Sequence, residues 1–94
     1  MIIISGWLRV RPGQRERMLA ASAEAMRMAR KAEGCRAFVV AADPLDDELV
    51  NVYEQWDNEA ALLTFRGERP EADMQDMIVA AEVRRYEIAS IGPA

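Results

Sequence analysis

The chain has 94 residues, 51% hydrophobic and 30% charged, with a net charge of −4, a single cysteine (Cys35) and no histidine. That length allows one small fold unit, here spanning residues 1–94, and the composition is too apolar for a disordered chain. The twelve basic residues, nearly all arginine, are scattered along the chain, which disfavours nucleic acid as a partner, and the lack of histidine and of clustered cysteine disfavours a thiolate or zinc site, so no metal is expected.

The start, MIIISGWLRV, lacks the basic region and cleavage site of an export signal, and no stretch approaches the roughly 20 apolar residues of a membrane span. The expected location is cytoplasmic, with no membrane partner. Residues 2 to 10 alternate as a strand, with Ile2, Ile4, Gly6, Leu8 and Val10 on one face and Ile3, Ser5, Trp7 and Arg9 on the other. RPGQ breaks it, and residues 14 to 33 form a helix with Met18, Ala21, Ala25, Met28 and Ala32 in an apolar stripe, stopped by Gly34. CRAFVVAAD (35–43) and LVNVYEQW (49–56) read as a hairpin around the turn PLDDE. Asp57 or Asn58 caps a second helix carrying Leu62, Phe65 and Arg66, and Pro70 opens a further short helix with Met74, Met77, Ile78 and Ala81 as its stripe. Residues 82 to 91 supply the last strand.

The order β-α-β-β-α-β is that of the ferredoxin-like α+β fold, a four-stranded antiparallel sheet with both helices on one face. Ile3 and Trp7 then make the other face too apolar to stay wet, so a second copy of the sheet is expected to pack against it, giving a homodimer with a barrel-like core.

Three segments, RVRPGQRERM, AEGCRAFVV and YEQWDNEAALLTF, together resemble the antibiotic biosynthesis monooxygenase (ABM) family. The resemblance implies a dimeric α+β barrel and, in many members, cofactor-independent oxygenation of phenolic or quinol-like polycyclic compounds. Trp56 matches the aromatic that members place after the YE pair. The helix position nine residues later, often histidine in the family, is Phe65, and the PH pair found in such members reads RPE at 69 to 71. Haem-degrading relatives use an asparagine on the first strand, whose counterpart is Gly6, so most of the haem site is missing.

Within that frame Trp56, Phe65, Met18, Met77 and Gly6 are the candidate substrate-binding residues, and Glu54, Asn51, Tyr53 and Arg66 the candidate catalytic ones. Strand alternation puts Tyr53 and Trp56 on opposite faces, so each is either a pocket wall or simple packing, in the helix-side core or at the dimer interface. Asn51, Tyr53 and Gln55 form a polar stripe, while Glu54 shares a face with Val52 and Trp56. A carboxylate on an apolar face suits the removal of a phenolic proton, unless a salt bridge to Arg66, Arg84 or Arg85 satisfies it. Arg66 offers a fork of donors for a phenolate or a developing oxygen anion, or is a solvated helix residue. Cys35 reads as a small packed hydrophobe. The expected function is oxidation of a phenolic, quinol or polycyclic aromatic substrate with O2 and no cofactor. The alternative is a homodimer that binds a hydrophobic aromatic small molecule without chemistry, and haem degradation stands third.

Overall fold

In the computed structural model, which describes residues 1–68 and 75–94, the elements run β1 (Ile2–Val10), α1 (Arg15–Lys31), β2 (Cys35–Ala42), β3 (Leu49–Trp56), α2 (Glu59–Glu68) and β4 (Ile78–Glu87). The four strands form one antiparallel sheet in the order β2-β3-β1-β4, the ferredoxin-like α+β arrangement. Among the described residues no helix is long and apolar enough to cross a membrane.

The local rules that build these elements are visible at their ends. Gly34 takes φ +83°, the left-handed conformation that ends a helix and that residues with a Cβ adopt only under strain. Asn58 accepts the Ala61 N–H on its side-chain oxygen at 2.9 Å and so caps α2. In the β2–β3 turn the Asp43 carboxylate accepts from Leu45 N and Asp46 N, both at 3.0 Å, while Arg15 on α1 donates to the carbonyls of Asp43 and Asp46. The turn and the start of the helix are thereby tied together.

The helices cover the face that carries Ile2, Ile4 and Val10, and the core beneath them falls into two clusters. One, near the C-terminal end of α1, gathers Ile2, Ile4, Ala29, Phe38, Trp56, Leu62 and Phe65. The other, near the N-terminal end, gathers Val10, Met18, Val50 and Met77. On α1 the buried positions are Met18, Ser22 and Ala29, whereas Ala21, expected in the apolar stripe, is exposed. Ser22 is tolerated inside because its hydroxyl donates to the Met18 carbonyl at 2.9 Å.

The end of the chain differs from the pattern read from sequence. The helix expected from Pro70, with Met74 in its stripe, begins outside the described residues. From Gln75 onward the chain makes a turn, and Ile78 and Ala81 lie in β4, not on a helix. Apolar residues three or four apart fit a helix, but Ile78 and Val79 are β-branched and Ile78 lands opposite Val10, where a free edge of β1 is waiting. β4 ends at Glu87 instead of 91 because Glu87 pairs with Ile2, the first residue of β1, and beyond it there is no partner strand.

Gly6 sits where β1 and β4 approach most tightly. A Cβ built there would lie 1.9 Å from the Glu82 carbonyl oxygen and 2.7 Å from Val83 Cα, both backbone atoms that cannot turn aside. Gly6→Ala is therefore expected to lower stability by about 1–3 kcal/mol, the usual cost of overpacking. An unchanged urea midpoint would show that β4 can move off β1 freely.

Candidate active site

β3 carries LVNVYEQW, and its alternation sorts these side chains cleanly. Val50, Val52, Glu54 and Trp56 point to the helices, and Asn51, Tyr53 and Gln55 lie on the open face. Glu54 is thus delivered, by strand geometry alone, into an apolar setting beside Ile4 and Phe38, its neighbours on β1 and β2. Only 8% of its surface remains exposed.

The Trp56 indole N–H donates to Glu54 Oε1 at 3.0 Å. Trp56 is itself fully buried and stacks at a tilt on Phe65, with centroids 5.2 Å apart at 33°, and Phe65 in turn meets Phe38 edge-on at 5.7 Å. Phe65, the position for which the resemblance implies a histidine, is therefore a packing residue between two aromatic rings.

None of the three arginines considered as partners reaches this carboxylate. Arg84 pairs with Glu82, Arg85 pairs with Glu59 at 2.9 Å, and Arg66 lies exposed on α2. Among the described residues no ion pair involves Glu54, and the indole is its one hydrogen-bond donor. A carboxylate removed from water with no cation is costly, and a charge-assisted hydrogen bond offsets only about 1.5–3 kcal/mol of that.

The remaining candidates are not brought to this place. Asn51 and Tyr53 face the other way: the Asn51 amide donates to Asp43 Oδ1 at 2.9 Å, and the Tyr53 hydroxyl donates to Gln55 Oε1 at 3.0 Å. The Asn51 amide, followed by the turn's backbone N–H groups, holds the Asp43 carboxyl below its ordinary range. Met18 and Met77 are buried, but in the second cluster, at the far end of α1 from Trp56. Among the named substrate-binding residues Trp56 and Phe65 stack on each other, while Met18 and Met77 share the other cluster.

Between the two clusters the helix-facing side of the sheet carries residues that are only partly buried. Its floor is Gly6, which has no side chain, flanked by the half-buried Val52 on β3 and by Val83 on β4, which is 39% exposed. Glu54 borders this floor, one side-chain row from Gly6. Gly6 thus lies beside Glu54 as backbone packed against β4, without a side chain to contact a ligand. Phe38 was not singled out from sequence, although the alternation of CRAFVVAA puts it on the helix side, where it completes the aromatic triplet.

Trp56→Phe keeps the ring stack and removes the indole donor. It is expected to cost about 1–3 kcal/mol through the unpaired carboxylate, read as a lower urea midpoint. Wild-type stability in this variant would mean that Glu54 has found water or another donor.

Comparison with known proteins adds the following. The family profile described as antibiotic biosynthesis monooxygenase matches residues 1–76. No curated protein matches the chain. Among solved structures, a candidate antibiotic biosynthesis monooxygenase of Deinococcus radiodurans superposes with a TM-score of 0.85 at 18% identity, covering 100% of this chain and 98% of the other. One of Nitrosomonas europaea gives 0.81 at 11% identity, covering 96% and 100%. One of Chloroflexus aurantiacus gives 0.71 at 26% identity, covering 97% and 96%.

Proposed function

The chain belongs to the antibiotic biosynthesis monooxygenase family, and from that premise we propose that it oxidises a phenolic, quinol or polycyclic aromatic substrate with O2, using Glu54 as the proton acceptor and no cofactor. The observation that carries this reading is the buried Glu54 carboxylate, fixed by one indole and facing no cation. A flat substrate lies on the floor of Gly6, Val52 and Val83, with its hydroxyl turned to the free side of Glu54. Removal of the phenolic proton makes the ring electron-rich enough to reduce O2 directly. For an anthrone the methylene carbon becomes a carbonyl: one oxygen atom enters the product and the other leaves as water with the two methylene hydrogens, so no external reductant is needed. Trp56 orients the acceptor, while the Phe38–Phe65–Trp56 stack keeps water from its apolar side and so strengthens every polar contact there. Asn51, Tyr53 and Arg66 lie away from this floor and take no part in the step; Met18 and Met77 support it only as core.

Aerobic turnover of a quinol and anthrone panel is expected to survive exhaustive metal chelation. Glu54→Gln keeps an acceptor for the indole but loses the base, and should lower kcat by about 10²–10⁴. Identical product traces with and without protein would sink the enzyme reading, and full activity in Glu54→Gln would reassign the base.

A second reading, non-catalytic binding of a hydrophobic aromatic small molecule, draws on a different observation: the chain has no histidine, the commonest proton carrier in such chemistry. Thermal stabilisation by the same aromatic panel without product would favour it.

We also infer a homodimer. The open face of the sheet carries Ile3 and Trp7, half-buried, with Val39, Tyr53 and Tyr86 exposed around them. So many large apolar groups on one antiparallel face call for a cover, and an identical sheet supplies a self-complementary one. Sedimentation velocity is expected to give twice the chain mass, and Trp7→Arg, at the centre of that face, to shift the protein towards monomer. A wild-type monomer at micromolar concentration would contradict the dimer.

A further inference from the structure

At the edge of the sheet, away from the Gly6 floor, a recess of about 300 Å³ is lined by Arg30, Cys35, Arg36, Ala37, Phe38 and Val39. β2 is an edge strand, and its register against β3 slips between Cys35 and Ala37, so the chain bulges where the recess opens. The lining takes residues from both sheet faces, Phe38 from the helix side and Val39 from the open side, so the recess opens at the edge and not on either face.

Two guanidinium groups flank it, and both are held in the same manner. Arg30, in the last turn of α1, donates from Nε to the outward-turned Phe38 carbonyl at 3.1 Å. Arg36 donates from Nε to Asp57 Oδ1. Neither terminal Nη pair has an acceptor among the described residues. A guanidinium anchored through Nε presents its remaining N–H groups as a planar fork, the geometry that takes a carboxylate bidentately. Behind the forks the walls are apolar: the Ala37 methyl, the Phe38 ring, Val39 and the Cys35 thiol, which donates to its neighbour's carbonyl (Ala37 O, 3.6 Å) and leaves no further polar group in need of a partner. The volume is at the small end of ligand sites, enough for one ring.

We propose that this recess binds a small aromatic carboxylate, its charge on the forks of Arg30 and Arg36 and its ring against Phe38 and Val39. Inorganic phosphate would satisfy the forks but not the apolar walls, and acetate brings the charge without the ring. The site stands on its own residues and does not depend on the monooxygenase reading. It adjoins the aromatic triplet through Phe38, whose ring meets Phe65 edge-on, and through Cys35, which lies opposite Trp56 on β3.

The single cysteine provides the measurement. Cys35 is half-buried in the recess wall, and burial pushes its thiol up, so alkylation is slow and is followed above neutral pH. With the uncharged reagent iodoacetamide on the native protein at constant ionic strength, benzoate at ten times its dissociation constant is expected to slow Cys35 alkylation about tenfold by simple occupancy. Acetate and inorganic phosphate at the same concentration should leave the rate unchanged. Arg36→Gln removes an exposed fork with little risk to folding, and Arg30→Lys keeps the charge and loses the planar geometry; each should abolish most of the protection, with an unchanged melting profile confirming the fold. The proposal is overturned if benzoate does not slow alkylation, if acetate or phosphate slows it equally, or if both variants are protected as well as the wild type.

Discussion

A carboxylate held against an indole inside an aromatic cluster is the constraint from which the rest of the site follows. Glu54 cannot turn to solvent without reversing the pleat of β3, and a one-residue slip would send Val50 and Trp56 out of the core with it. The strand is therefore locked in a register that buries a charge. The indole N–H of Trp56 answers that charge in part, and Phe65 and Phe38 hold the indole in place. Trp56 thereby holds the carboxylate in place. Its donor is already used within the protein and is not available to a ligand.

Phe65, at the position for which the resemblance implies a histidine, has packing as its role: it stacks on Trp56 within the core and adds no proton carrier to the site. Gly6, one side-chain row from Glu54, is fixed independently by the backbone of β4, which leaves no room for a Cβ. That close approach sets the local geometry of the sheet.

The bounds of the first three strands, the cap on α2, the glycine stop after α1 and the division of β1 and β3 into two faces were legible because each rests on a local rule: alternation, capping or a left-handed residue. The C-terminal third was not. Met77, Ile78 and Ala81 have helical spacing, and only the unfilled edge of β1, a feature of tertiary structure, makes Ile78 the start of a strand. The sorting of Glu54 from Asn51 and Tyr53 was readable from alternation. Its consequence, that the polar candidates cannot act together, required the hydrogen bonds that tie Asn51 to Asp43 and Tyr53 to Gln55. The two methionines were grouped with Trp56 because their chemistry fits a pocket, but position along α1 decides otherwise: Met18 lies eleven residues before Ala29, about 16 Å along the helix axis. No sequence signal pointed to the recess at the β2 edge, since it depends on a bulge and on two arginines being held through the same nitrogen.

In the proposed reaction Glu54 receives the substrate's proton on the helix-facing side of the sheet. A crystal structure of the protein with a hydroxyanthrone bound under nitrogen is the decisive measurement. A hydroxyl oxygen is expected within about 3 Å of the Glu54 carboxylate, with the ring system lying over Gly6 and Val52. A ligand seated instead on the open face between Trp7 and Tyr53, with the core closed around Glu54, would contradict it.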